Sequence, residues 1–191
     1  MTPLRFQSTA AKLQKVEEDP VDTTPLFSDL EGKVNDRVLR ALTQAPFQYK
    51  TMSTVQGEIL PMLPGLVEPR TPESKESVDI LVKARTGTGK TIAFLVPAIE
   101  ARLRELEEIA SRPSSSTQAA AGASRSSAAR RFAMDKVGTL VISPTRELAS
   151  QIAVEAQKLS AHCPGFETHL FVGGLPKGKQ IGNFQRGRKD I

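Results

Sequence analysis

Apolar positions recur along this chain in two rhythms. Val34, Val38, Leu39 and Leu42 have helical spacing, with Asn35 and Asp36 on the other face, and predict a first helix. Val55, Ile59, Leu60 and Leu63 predict a second over residues 54–63. A longer stripe, Ile92, Leu95, Val96, Ile99, Leu103 and Leu106, predicts a packed helix, in which Pro97 removes the hydrogen bond to the Ala93 carbonyl and implies a kink or local break. Leu148, Ile152, Ala156 and Leu159 mark a fourth helix. Short apolar runs at 78–82, 138–143 and 168–172 read as buried strands. Strands alternating with helices imply an α/β fold, a parallel sheet with helices on both faces.

The remaining segments set the boundaries. Residues 1–25 read as a disordered tail ahead of one domain spanning 26–191. The first sixteen residues carry Arg5, Lys12 and Lys15 and no acid before Glu17, the composition of a mitochondrial targeting leader or of a plain disordered tail. Residues 64–77, rich in Pro, Glu and Ser, read as a loop. Residues 111–131 are low in complexity and lack large apolar side chains, which predicts a disordered surface insertion.

Composition narrows the classes. With 39% hydrophobic and 25% charged residues this is expected to be a soluble globular chain. It has no apolar run near the roughly 18 residues that a membrane span needs. A single cysteine, Cys163, excludes an internal disulfide and a Cys-rich metal site. The two histidines, His162 and His169, read as ordinary surface or edge residues. The net charge of +5 is compatible with a polyanionic partner. From Lys177 to Ile191 five basic residues face one acid, Asp190, as either a solvated face or a phosphate-tracking patch.

The chemistry concentrates at 84–91, Ala84-Arg85-Thr86-Gly87-Thr88-Gly89-Lys90-Thr91, between the first apolar run and the long helix. A Gly-rich turn from strand to helix lets successive N–H groups converge on a phosphate, aided by the positive end of the helix dipole. Lys90 would neutralise the β- and γ-phosphates and Thr91 would place its hydroxyl on Mg²⁺, so ATP with Mg²⁺ is the expected ligand. Farther on, Pro144-Thr145-Arg146 stands between a strand and a helix, where N–H groups and a guanidinium can meet a phosphodiester backbone. Gly173-Gly174, after the next strand, permits close approach of main chain to a ligand. Upstream, the Gln56 amide carries the donors and acceptor needed to read an adenine edge.

Together these residues resemble the DEAD-box ATP-dependent RNA helicases, in particular their fungal mitochondrial branch. The octet is similar to that family's motif I, in which Ala is the usual first residue, as Ala84 is here. Pro144–Ala149 is similar to motif Ia and Gly173-Gly174 to the Gly-Gly motif. Gln56 matches the Q motif, with Phe27 resembling the isolated aromatic upstream of it. Met52 stands where that motif has Pro, and Tyr49 where it has Phe.

The resemblance implies a P-loop, RecA-like first helicase domain, and in the complete protein ATP hydrolysis coupled to RNA unwinding. Lys90 and Thr91 would serve catalysis. Residues 84–91, Gln56, Tyr49 and Phe27 would bind ATP. Pro144, Thr145, Arg146, Gly173 and Gly174 would hold RNA by its backbone, whatever its sequence. No strand here ends in Asp-Glu-Ala-Asp, and Arg186–Ile191 looks like the lead-in to the motif Thr-Pro-Gly-Arg, so the domain is expected to be incomplete and, by itself, inactive in hydrolysis. A truncated ATP- and RNA-binding fragment and a DNA-acting superfamily 2 ATPase stay open as alternatives. So do nuclear and cytoplasmic locations beside the mitochondrial one, and any oligomeric state.

Overall fold

A computed structural model of the chain describes residues 24–68, 79–112 and 125–191. The leader expected in the first residues, the acidic run before Pro20 and most of the loop at 64–77 lie outside them.

Six α-helices carry the described structure: α1 (Asp36–Thr43), α2 (Thr54–Ile59), α3 (Lys90–Ser111), α4 (Arg125–Asp135), α5 (Arg146–Leu159) and α6 (Lys177–Arg186). None is long and apolar enough to cross a membrane. Three are capped by the residues that precede them. Asn35 accepts from the Arg37 N–H at 3.1 Å, Ser53 from the Gln56 N–H at 3.4 Å, and Thr145 from the Leu148 N–H at 3.2 Å. The second predicted helix ends early as an α-helix, because Pro61 cannot donate, and continues as a 3₁₀ turn over Leu60–Met62. Around Pro97, α3 runs unbroken for 22 residues rather than stopping.

Helix α3 is the spine of the core. Its Ile92, Leu95, Val96 and Ile99 pack with Phe27, Leu30, Val38, Leu42 and Leu60 from the N-terminal part and with Ile152, Ala156 and Leu159 of α5. Two buried polar contacts fix its neighbours. Glu100 accepts from the Asn35 N–H at 2.8 Å, tying the start of α1 to the middle of α3. Arg102 and Asp190, both with fully buried side chains, pair at 3.0 Å and anchor the C-terminal segment. A Cβ at Gly138 would meet Arg102 Cδ at 2.5 Å, so only glycine lets the chain pass this pair.

Where low complexity predicts disorder up to residue 131, residues 125–135 form α4. Ala128, Ala129 and Ala133 favour a helix intrinsically. Packing on α3 then holds it: Ala133 is buried, and the Arg102 guanidinium lies 5.4 Å from the Phe132 ring centroid.

The parallel sheet is not seen among the described residues. Their single bridge is antiparallel, between Leu26 and Thr51. The runs at 79–83 and 137–143 are non-helical and richly exposed: Leu81 is 98% accessible, Ile142 86% and Leu140 79%. One pairing comes close to a ladder. The Ile191 N–H donates to the Glu167 carbonyl at 3.2 Å and the His169 N–H to the Ile191 carbonyl at 2.8 Å, the reciprocal pattern of a parallel pair. On the other side, Gly138 and Thr139 donate to the Lys189 and Asp190 carbonyls. The C-terminal segment therefore lies between 138–139 and 167–169.

Candidate functional site

The octet forms the turn at the head of α3. Gly87 and Gly89 take left-handed backbone, with φ of 78° and 74°, and Gly89 is the residue before the first helical turn. Both would be strained with a side chain, and a Cβ on Gly89 would also meet Gln56 Nε2 at 2.4 Å. No acid sits in the first turn of α3, which leaves the positive helix end uncompensated. Lys90 folds back on the turn: its Nζ donates to the Ala84 carbonyl at 2.9 Å and also to that of Arg85. The Thr88 hydroxyl donates to the Arg85 carbonyl at 2.9 Å, and Thr91 lies half-buried in the first helical turn.

Helix α2 holds this turn from behind. The Ser53 hydroxyl donates to the Thr88 carbonyl at 2.8 Å, and Gln56 Nε2 donates to the Gly89 carbonyl at 3.2 Å. Gln56 Oε1 accepts from the Ser53 N–H at 2.8 Å. The buried amide thus has two of its bonds committed within the protein and keeps one N–H and one lone pair. Ser53 is a contact that sequence reasoning did not single out. Its place as the cap of α2, three residues before Gln56, was the available signal.

The aromatic residues divide. Phe27 is fully buried in the core, while Tyr49 is 43% exposed and stacks on it at 6.0 Å between ring centroids. The ring that faces outward is Tyr49, flanked by Phe47 at 5.2 Å.

The structure brings the two remaining motifs together. Arg146, the first residue of α5, donates from its guanidinium to the Gly173 carbonyl at 3.2 Å across 27 residues of sequence. Gly174 has φ of 85°, and a Cβ there would stand 2.7 Å from the same guanidinium. Pro144, Thr145, Arg146, Gly173 and Gly174 are all exposed and form one surface. Sequence reasoning missed the brace under it. Gln180 of α6 accepts from the Val172 N–H at 2.9 Å and donates to the Val172 and Leu175 carbonyls at 3.1 and 3.2 Å, which fixes the entry to and exit from the glycine pair.

His162 and His169, read from sequence as surface or edge residues, each bond a carbonyl through the ring, that of Ala45 and that of Arg188. Cys163 is buried, and burial pushes its thiol up to about 11. Among the described residues no group of three or more His, Cys, Asp or Glu could hold a metal ion.

The residues fit a magnesium–triphosphate. The loop offers N–H groups, a helix end and Lys90, and open space stands at Gly87, where a Cβ would meet nothing within 4 Å.

Comparison with known proteins agrees with this geometry. The DEAD/DEAH box helicase family matches residues 69–191. The mitochondrial ATP-dependent RNA helicase mss116 of Aspergillus fumigatus is 33% identical over 95% of this chain and 25% of its own length. The mitochondrial ATP-dependent RNA helicase cyt-19 of Neurospora crassa is 32% identical over 93% of this chain and 24% of its own length. DEAD-box ATP-dependent RNA helicase 26 of Arabidopsis thaliana is 38% identical over 71% of this chain and 12% of its own length. The chain thus spans at most about a quarter of the length of these relatives. No solved structure matches it. With more than half its length matched by the family, and a glycine turn at the head of α3 backed by a glutamine-bearing helix, the chain belongs to the DEAD/DEAH box helicase family.

Proposed function

We propose that this chain is the ATP-binding part of an ATP-dependent RNA helicase. The observation that carries the reading is the turn at the head of α3, left-handed at Gly87 and Gly89 and tethered through Ser53 and Gln56 to α2. In it, Lys90 exchanges the Ala84 and Arg85 carbonyls for the β- and γ-phosphates. Thr91 would hold magnesium through its hydroxyl, and the ion would supply positive charge that offsets that of the phosphates. Gln56, with one N–H and one lone pair to spare, meets the adenine edge, and Tyr49 lies against the base.

The second half of the reading is RNA. Arg146 and the Gly173-Gly174 turn form an exposed basic surface over main-chain groups, suited to phosphates and blind to base identity. Family membership supports a RecA-like fold, in which the segments at 79–83, 138–143 and 167–172 are strands of one parallel sheet between helical layers. A mitochondrial location is supported by the names of the fungal relatives and by the basic, acid-free start of the chain.

The test is titration of the 191-residue chain with a fluorescent ATP analogue and Mg²⁺. Lys90→Ala is expected to weaken binding by about tenfold or more, the loss of one charge-assisted contact of roughly 1.5–3 kcal/mol. Equal affinity of the two proteins would remove the reading.

A further inference from the structure

A basic cleft lies apart from the Arg146 surface. It has a volume of about 450 Å³ and is lined by Arg130 and Met134 of α4, the turn at Pro164–Gly165, Glu167, and Arg186 and Arg188. Arg130 has no hydrogen-bond or ion-pair partner among the described residues, and the Arg186 guanidinium meets only Asn183 Oδ1, at 3.2 Å. Arg188 is different. Its guanidinium lies 3.0 Å from buried Asp190, so much of its charge is already answered. The one acid in the lining, Glu167, is held by the Arg188 N–H at 3.1 Å and lies 3.6 Å from His169. One unpaired guanidinium, that of Arg130, and a second engaged only by a neutral amide, that of Arg186, therefore line the cleft, a geometry that suits phosphate oxygens.

Its position separates it from the surface at Arg146. The cleft includes Glu167, whereas Arg146 bonds Gly173. The non-helical segment from 167 to 172 runs between them and allows at most about 20 Å of separation along the chain. Helix α4 supplies the further charge: Arg130 and exposed Arg131 are there against one acid, Asp135.

We propose that the cleft between α4, the Pro164–Gly165 turn and Arg186–Arg188 is a second RNA-backbone site, which takes phosphates of a strand already held at Arg146. The proposal rests on the reading of this chain as one that engages RNA. An oligonucleotide long enough to reach both sites gains from the second contact, because the first raises its effective concentration there. A short one does not.

The experiment measures fluorescence anisotropy of labelled single-stranded RNA of about 3 and about 40 nucleotides, over a range of salt, with the 191-residue chain. Arg130→Glu/Arg186→Glu alters two exposed side chains, and its thermal melt reports that it folds. It is expected to weaken the long RNA by about tenfold or more and lower the salt slope by about 1–2, at roughly 0.7 per phosphate contact. Affinity for the short RNA stays the same. The control Lys33→Glu/Arg40→Glu makes the same change in net charge elsewhere and is expected to leave both affinities nearly intact.

Arg146→Ala is expected to weaken both RNAs. If the cleft variant behaves like the control while Arg146→Ala still weakens binding, the second site is wrong and the RNA reading stands. Equal losses on short and long RNA also overturn a separate site. Absence of RNA binding by the unaltered chain overturns both readings.

Discussion

The helical core and the apolar runs beside it have similar hydrophobic content and opposite fates. Phe27, Leu42, Leu95 and Leu159 are fully buried, whereas Leu81, Leu140 and Ile142 are among the most exposed apolar residues described. The difference follows from where each backbone finds its hydrogen bonds. A helix closes them within itself and needs a neighbour only for its apolar stripe. A strand must borrow every one of them from an adjacent strand. The core helices meet their condition within themselves. Beyond the bonds that Gly138 and Thr139 make to the C-terminal segment, no strand ladder forms along 80–83 or 140–143 among the described residues, and Leu81, Leu140 and Ile142 keep their side chains in solvent.

The sharpest way to break this contrast is to truncate on each side of it. Phe27→Ala removes a fully buried ring from the core and is expected to cost about 3–5 kcal/mol in a urea melt. A loss under about 1 kcal/mol would mean that the helical half is itself loosely packed.

The next effect is electrostatic. Glu100 is almost wholly buried, and its burial raises the carboxyl from 4.5 to about 7 against the opposing pull of the Asn35 N–H and Arg104. The folded chain therefore binds this proton more tightly than the unfolded one. The resulting stabilisation is full below about pH 4.5 and is lost as pH rises through about 7. Its size is about 3 kcal/mol. Glu100→Gln keeps a carbonyl for the Asn35 N–H and removes the titration. Melts between pH 5 and 8 are expected to show the unaltered chain declining relative to this variant, and parallel curves would refute the assignment.

The smallest effect lies on the exposed side. Ile142→Ser is expected to change stability by no more than about 0.5 kcal/mol and to raise solubility, because an exposed apolar run with unpaired backbone is a template for aggregation. A loss of several kcal/mol would show that this segment is packed in solution.

The same contrast explains what could be read in advance. The stripes of α1, α3 and α5 were legible because helical periodicity is local. Motif chemistry located the loop at Gly87 and Gly89, and the Arg146–Gly173 contact joined two motifs that sequence had kept 27 residues apart. Three things were not legible. The behaviour of the apolar runs depends on partners at a distance. Helix α4 depends on the surface that α3 offers to Phe132 and Ala133, which composition does not reveal. The buried Arg102–Asp190 pair joins residues 88 apart, and neither is marked in sequence as anything but a surface charge.

The bonds from Lys90 to the Ala84 and Arg85 carbonyls have a consequence for recognition. Under the proposed function, an incoming phosphate would compete with these two carbonyl oxygens for the ammonium. Discrimination would then depend on acceptor strength: a nucleotide with too little charge to displace the loop's own oxygens would leave the lysine where it is.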